Sequence, residues 1–135
     1  MPSFNFQASF AAAVESGQKT QTIRKTCRAK VGDAAYLYTG QRTKQCRKLG
    51  EGIVNGLHRV EISRFDDNRS AKPNRFYIKS EIWSPGFMIH LDHEEREDMA
   101  AKDGFASFAE MATWFEGQYG LPFHGWLIEW NLDKF

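Results

Sequence analysis

The period of hydrophobic residues changes twice along this chain, and that change constrains the fold more than any other feature. Phe6, Phe10 and Val14 recur every fourth residue with alanines between them, the spacing that gives a helix one apolar stripe. Ser16-Gly17 ends that helix, because glycine readily takes the left-handed conformation of a helix cap. The middle of the chain then alternates, as strands do. Thr20 to Arg24 reads as a strand, Val31-Gly32-Asp33 as a turn, and Ala34 to Thr39 as a second strand. A polar stretch from Gly40 to Lys48 has no hydrophobic period. Gly52 to Phe65 predicts one long or bent strand, 66–74 a loop, and Phe76 to Trp83 and Phe87 to Leu91 further strands around Ser84-Pro85-Gly86.

The helical period returns in the last third. Asp92 with Glu95 predicts a capping box opening a helix to about Lys102. Asp103-Gly104-Phe105 breaks it, and Ser107 with Glu110 predicts a second capping box opening a helix, buried along Phe108, Met111 and Phe115, that runs to Tyr119. Gly120 stops that helix, and Trp126 to Trp130 predicts a closing strand. A helix, a run of strands, two helices and a last strand make an α+β fold. A small closed or nearly closed sheet with peripheral helices is its simplest form. With 135 residues and 41% hydrophobic content, one domain covering 1–135 can bury a core without metal or disulfide.

Charge sharpens the reading. The net charge is only +1, yet Lys19 to Lys48 carries nine Lys or Arg against the single acid Asp33, and Asp92 to Asp133 carries ten acids against Arg96 and Lys102. A basic first half suits phosphate contacts; the alternative is that the two halves neutralise each other or are solvated faces. Two cysteines, Cys27 and Cys46, are too few for a disulfide framework. The first ten residues have neither the basic patch nor the apolar stretch of a secretory signal, and no apolar run is long enough to span a bilayer, so a cytoplasmic protein without membrane contact is expected. His58, His90, His93 and His124 fall at no convincing ligand spacing; the best pair is His90 with His93, and no metal or cofactor is expected. Trp114, Phe115, Trp126 and Trp130 read as core.

The most informative stretch is Ser16-Gly17-Gln18-Lys19-Thr20-Gln21-Thr22-Ile23-Arg24. Strand alternation points Thr20, Thr22 and Arg24 to one face and Gln21 and Ile23 to the other. Hydroxyls and a guanidinium beside a lysine suit an anionic or hydrogen-bonding cleft; an edge strand facing water would also accept them. A second group is Tyr36 and Tyr38, which share a face ahead of Arg42, Lys44, Arg47 and Lys48. Stacking platforms beside a positive loop are the means by which single-stranded RNA is held, whereas the alternative is sheet packing beside a soluble loop.

Gly17-x-Lys19-Thr20-x-Thr22-Ile23-Arg24 followed by Val31-Gly32-Asp33 resembles the signature of the ASCH family. The likeness continues through Asp103-Gly104-Phe105, the helix containing Glu110-Met111 and the closing strand. The resemblance implies a single ASCH-like domain with a PUA-like small β-barrel and peripheral helices. It also implies a partner that is RNA or a modified nucleoside. Within the family, amidohydrolases that deacetylate N(4)-acetylcytidine use a lysine, a threonine three residues later and an acid near the C-terminal helix. On this sequence the first two fall on Lys19 and Thr22. The acid falls by position on Asp103, an aspartate where those enzymes have glutamate, with Glu110 as the rival. Thr22 would be the nucleophile, Lys19 its base, Asp103 the supporting acid, and Thr20 and Arg24 substrate contacts. The basic stretch at 41–48 and the segment 66–91 exceed the compact amidohydrolases. They leave open a ribonuclease activity, or a non-catalytic RNA-binding module with Tyr38, Arg42, Lys44, Arg47 and Lys48 on the RNA.

Overall fold

A computed structural model describes residues 3–64, 76–82 and 86–132. Its elements are β1 (Ser3–Phe6), α1 (Ala8–Ser16), β2 (Gln21–Arg24), β3 (Ala34–Thr39), β4 (Arg47–Arg64), β5 (Phe76–Ser80), β6 (Ile89–His90), α2 (His93–Lys102), α3 (Phe108–Tyr119) and β7 (Phe123–Leu132). The fold is mixed α+β, with one seven-stranded sheet and three helices among the described residues. The loop expected at 66–74, the end of the strand at Trp83, and Ser84-Pro85 lie outside them.

The spine is β4, 18 residues long, paired along one edge with β7 from Gly52↔Leu132 to Ile62↔Phe123. Its other edge is divided. Residues 47–53 pair with β3 and 60–64 with β5, all antiparallel. A register shift between Val54 and Gly56 marks the irregularity between the two halves. β1 adds to β3 in parallel, β6 adds to β5, and β2 adds to the outer edge of β7. The closed or nearly closed sheet expected from the sequence is therefore not formed. The sheet forks at β4, and β1, β2 and β6 each have one strand neighbour among the described residues. A strand long enough to serve two partners in succession makes a branch where a ring would need each strand to pair once on each side.

Both faces of the sheet are covered, and β7 shows how. Phe123 and Leu127 point into a core built with Met99, Phe108, Met111 and Phe115 of α2 and α3. Ile128 and Trp130, with Trp126 and Leu132 beside them, point into a second core with Phe4, Phe6, Val14 and Leu37. Period-two alternation in one strand thus serves two cores.

The helix caps follow the sequence. Asp92 accepts from the Glu95 amide while Glu95 reaches back to the Asp92 amide, a full capping box of the kind that stabilises a helix by about 1 kcal/mol. At Ser107 only half of the expected second box forms among the described residues: Ser107 accepts from the Glu110 amide, without the return bond from the Ser107 amide to Glu110. Gly17 closes α1 at φ 83°. Several boundaries differ from expectation: β6 covers only Ile89–His90, β7 runs from Phe123 to Leu132, and two others have a local cause. Phe6 belongs to β1 and α1 begins at Ala8: Phe4 and Phe6 are buried on alternate residues, and the fourfold spacing from Phe6 to Phe10 spans a strand-to-helix junction. β4 begins at Arg47, within the stretch read as loop, because its backbone completes the ladder with β3 whatever its side chains are.

Candidate functional site

Among the described residues β2 has β7 as its one ladder partner, which leaves its other edge free of strand pairing. Thr22 and Arg24 lie opposite Ile128 and Trp126 in the ladder, on the face shared with Phe4 and Phe6; Gln21 and Ile23 take the other face. Lys19, just before the strand, is held by its amide donating to the Ala13 carbonyl at the end of α1. Asp103 closes α2 and is followed by Gly104 at φ +93°, a conformation L side chains rarely adopt. A Cβ at Gly104 would sit 3.2 Å from Phe10 Cδ1 and 3.4 Å from Lys19 Cδ, so glycine lets the chain turn tightly against the lysine.

These elements assemble one polar cluster. Lys19 Nζ donates to the Asp103 backbone carbonyl at 2.6 Å and lies 3.2 Å from its carboxylate Oδ1. Gln21 Nε2 donates to the Met99 carbonyl at 3.1 Å and to Asp103 Oδ1 at 3.4 Å. Arg24 Nε donates to Thr22 Oγ1 at 3.0 Å, and Arg24 Nη2 to the Asn5 carbonyl at 2.8 Å. The Phe6 ring centre is close to both cations, 5.7 Å from Lys19 Nζ and 5.2 Å from the Arg24 guanidinium carbon. Lys19, Thr22 and Asp103 are 3%, 5% and 4% exposed, so the hydroxyl and the two ionisable groups are nearly removed from bulk water. Such burial is costly unless every group is partnered, and here each has at least one partner.

Burial sets the protonation tendencies. It pushes the Lys19 amine below the ordinary lysine range, with Asp103 opposing and Arg24 assisting. It pushes the Asp103 carboxyl up, opposed by Lys19, Gln21 and Arg24. The Arg24 guanidinium is also lowered by burial. The shifts on Lys19 and Asp103 act in one sense: both reduce the free-energy gap between the ion pair and the neutral amine–acid pair.

Lys19, Thr22, Arg24 and Asp103 line one cavity of about 130 Å³, walled by Phe6, Phe10, Phe105, Trp114, Phe115 and Tyr119. The structure thus brings together four of the residues singled out in the sequence. Between the two acids, it sets Asp103 against Lys19, whereas Glu110 is exposed at the start of α3. Thr20 is not in this group. It precedes β2, its backbone bonds Lys102 and Trp130, and it faces a different hollow with Asn55 and Glu129. Tyr36 and Tyr38 lie on the face of β3 away from buried Ala35 and Leu37, as alternation requires. Arg47 is paired with Glu15, and Lys48 with Glu51 while lying 5.6 Å from the Tyr36 ring centre. Arg42 and Lys44 have no ion-pair partner among the described residues. The basic stretch is moored to the site through the Gln41 amide, which donates to Asn5 Oδ1 at 2.9 Å.

Gln21, Asn5, Phe10, Phe105 and Tyr119 were not foreseen at the site. Alternation put Gln21 on the far face, correctly, but did not show that its side chain there meets Asp103 at the end of α2. Trp114 and Phe115 do pack as core, and they also wall the cavity. Among the described residues no group of three or more His, Cys, Asp or Glu could hold a metal, and no helix is long and apolar enough to cross a membrane. Cys27 is half-buried and Cys46 exposed, both as free thiols.

No family model, no curated protein and no solved structure matches the chain.

Proposed function

We propose that the chain is an ASCH-like domain of the PUA-like superfamily that removes the acyl group from an acylated cytidine. The observation that carries this reading is the burial of Lys19, Thr22 and Asp103, with half-buried Arg24, around one small aromatic-walled cavity. Thr22 Oγ attacks the acyl carbon and its proton passes to Lys19 Nζ. The carbon–nitrogen bond of the tetrahedral intermediate then breaks, Lys19 returns the proton to the departing exocyclic nitrogen, and water hydrolyses the acyl-threonine to a carboxylic acid. Arg24 Nε already donates to Thr22 Oγ1, an arrangement that stabilises the oxygen as it loses its proton and leaves the hydroxyl hydrogen free to point elsewhere. A lysine with a lowered pKa is a competent base, and burial supplies that lowering.

The ion pair favours a second reading. A Lys19 kept protonated by Asp103 binds an oxygen and abstracts nothing, and the domain is then a non-catalytic RNA-binding module, with Tyr38, Arg42 and Lys44 on the strand. Incubation with N(4)-acetylcytidine, with chromatography of the products, separates the two. Release of cytidine and acetate supports hydrolysis. Retention of intact ligand, with RNA binding, supports the module.

A further inference from the structure

A cavity of about 130 Å³ is too small for a nucleoside; pockets that enclose small organic ligands run to roughly 300–1,000 Å³. Only the reacting end of a substrate fits beside Thr22. The remainder must lie in whatever space adjoins the cavity. That space is a larger open cleft of about 1020 Å³, which shares Arg24 and Tyr119 with the cavity. Tyr119 ends α3 and is 49% exposed, so it offers a phenol ring at the passage between the two.

The far side of the cleft is basic. Lys25 and Arg28, both exposed, line it on the loop after β2. Neither has an ion-pair partner among the described residues, whereas Arg47, Lys48, Arg59, Arg64, Lys79 and Lys102 all do. The acid in the cleft is Asp33, and its Oδ2 is already engaged by the Lys30 amide at 2.9 Å. The loop is anchored: the Gly32 amide donates to the Val54 carbonyl at 2.8 Å and the Val54 amide to the Asp33 carbonyl at 2.9 Å. Two uncompensated cations on a tethered loop, one able to grip two oxygens at once, suit a phosphate.

We propose that this cleft is a phosphate subsite, formed by Lys25 and Arg28 and continuous with the acyl cavity past Arg24 and Tyr119, so that the preferred substrate carries phosphate on its ribose. The substrate class is an acylated cytidine nucleotide, free or within an RNA strand. The proposal rests on the acyl-hydrolase reading for its reaction, and it places the phosphate on a loop distinct from 41–48.

The test compares kcat/KM for N(4)-acetylcytidine, its 5′-monophosphate and a short single-stranded RNA containing one such residue. The nucleotide or the RNA is expected to exceed the nucleoside by about tenfold or more, the scale of charge-assisted contacts. In Lys25→Gln/Arg28→Gln the ratio of phosphorylated substrate to nucleoside should fall towards one; both positions are exposed, so folding is not at risk. A preference for the mononucleotide identifies free nucleotides as the source, and a further gain in the oligomer identifies RNA. Nucleoside turned over as well as either phosphorylated form overturns the subsite and leaves the hydrolase reading intact. If none is hydrolysed, the hydrolase reading fails. Calorimetric binding of cytidine 5′-monophosphate against cytidine then decides the subsite, which is upheld by phosphate-dependent binding lost in the double variant and overturned by equal affinities.

Discussion

Lys19 Nζ touches Asp103 twice, at the backbone carbonyl 2.6 Å away and at carboxylate Oδ1 3.2 Å away, and both side chains are almost wholly buried. The carbonyl contact survives when the carboxylate is neutralised, so the lysine stays in place whatever the protonation state of its partner. Its position and its charge are therefore separable by mutation. Breaking the pair from one side should cost about 3–5 kcal/mol in Asp103→Ala, which strands a buried ammonium. Lys19→Met/Asp103→Leu should recover most of that loss, since two apolar groups need no partners. Urea denaturation of the single and double variants checks it, and a double variant as unstable as Asp103→Ala would contradict it.

The pH dependence has a defined sign. With Lys19 as base, kcat/KM should rise with pH as the ammonium loses its proton and level off below the ordinary lysine range, because burial lowers that pKa. Asp103 raises it, so Asp103→Asn should move the rise to lower pH. A shift to higher pH would remove Lys19 from the role.

Folding stability should respond in the opposite way for the two partners. The native state releases the Lys19 proton more readily than the unfolded chain, so this contribution grows as pH rises from the lowered value to the ordinary one. Asp103 holds its proton more tightly when folded, so its contribution shrinks as pH climbs from the ordinary carboxylate value through the raised one. Melting temperatures of wild type and Lys19→Met across alkaline pH should differ in slope, with the rise present only in wild type.

Thr22 and Lys19 should behave as one unit. Thr22→Ala abolishes turnover with binding nearly kept, Lys19→Arg is almost as damaging because arginine keeps its proton, and the double variant is no worse than Thr22→Ala. Arg24→Lys should lower kcat/KM by roughly tenfold to a hundredfold, since lysine cannot hold Thr22 Oγ1 and the Asn5 carbonyl together. Steady-state kinetics on the four variants provides the measurement.

The basic stretch divides by its pairing. Arg42 and Lys44 lack ion-pair partners among the described residues, whereas Arg47 and Lys48 are held by Glu15 and Glu51. If RNA lies here, neutralising Arg42 and Lys44 should flatten the salt dependence of binding more than neutralising Arg47 and Lys48, because a paired cation displaces fewer counterions. Filter binding across a salt series reads this directly.

Much of the site could be read from the chain before any coordinates, because it depends on local rules. The interval from Lys19 to Arg24 is short, the strand alternates, and Asp103 ends a helix whose capping box at Asp92 and Glu95 is written in adjacent residues. What escaped was long-range. Nothing near Gln21 announces a carboxylate 82 positions away. The cavity walls came from aromatics correctly assigned to the core, since a side chain can pack on one side and border a hollow on the other. The forked sheet escaped for a related reason: alternation in Gly52 to Phe65 tells which face each residue takes, and is silent on which strand it will meet.

β2 is four residues long and, among the described residues, is paired into the sheet through β7 alone. Such a strand is the first to fray, and its release leaves the long β4–β7 ladder untouched. Amide exchange at Thr22 and Arg24 should therefore outpace exchange at Leu127 and Gly125, whose amides face β4 because that of Trp130 faces Thr20, and a ligand bridging Thr22 to the end of α2 would act as a clasp, slowing the first pair and sparing the second. Thr22, the proposed nucleophile, sits on the part of the sheet whose opening does not require the β4–β7 ladder to unfold.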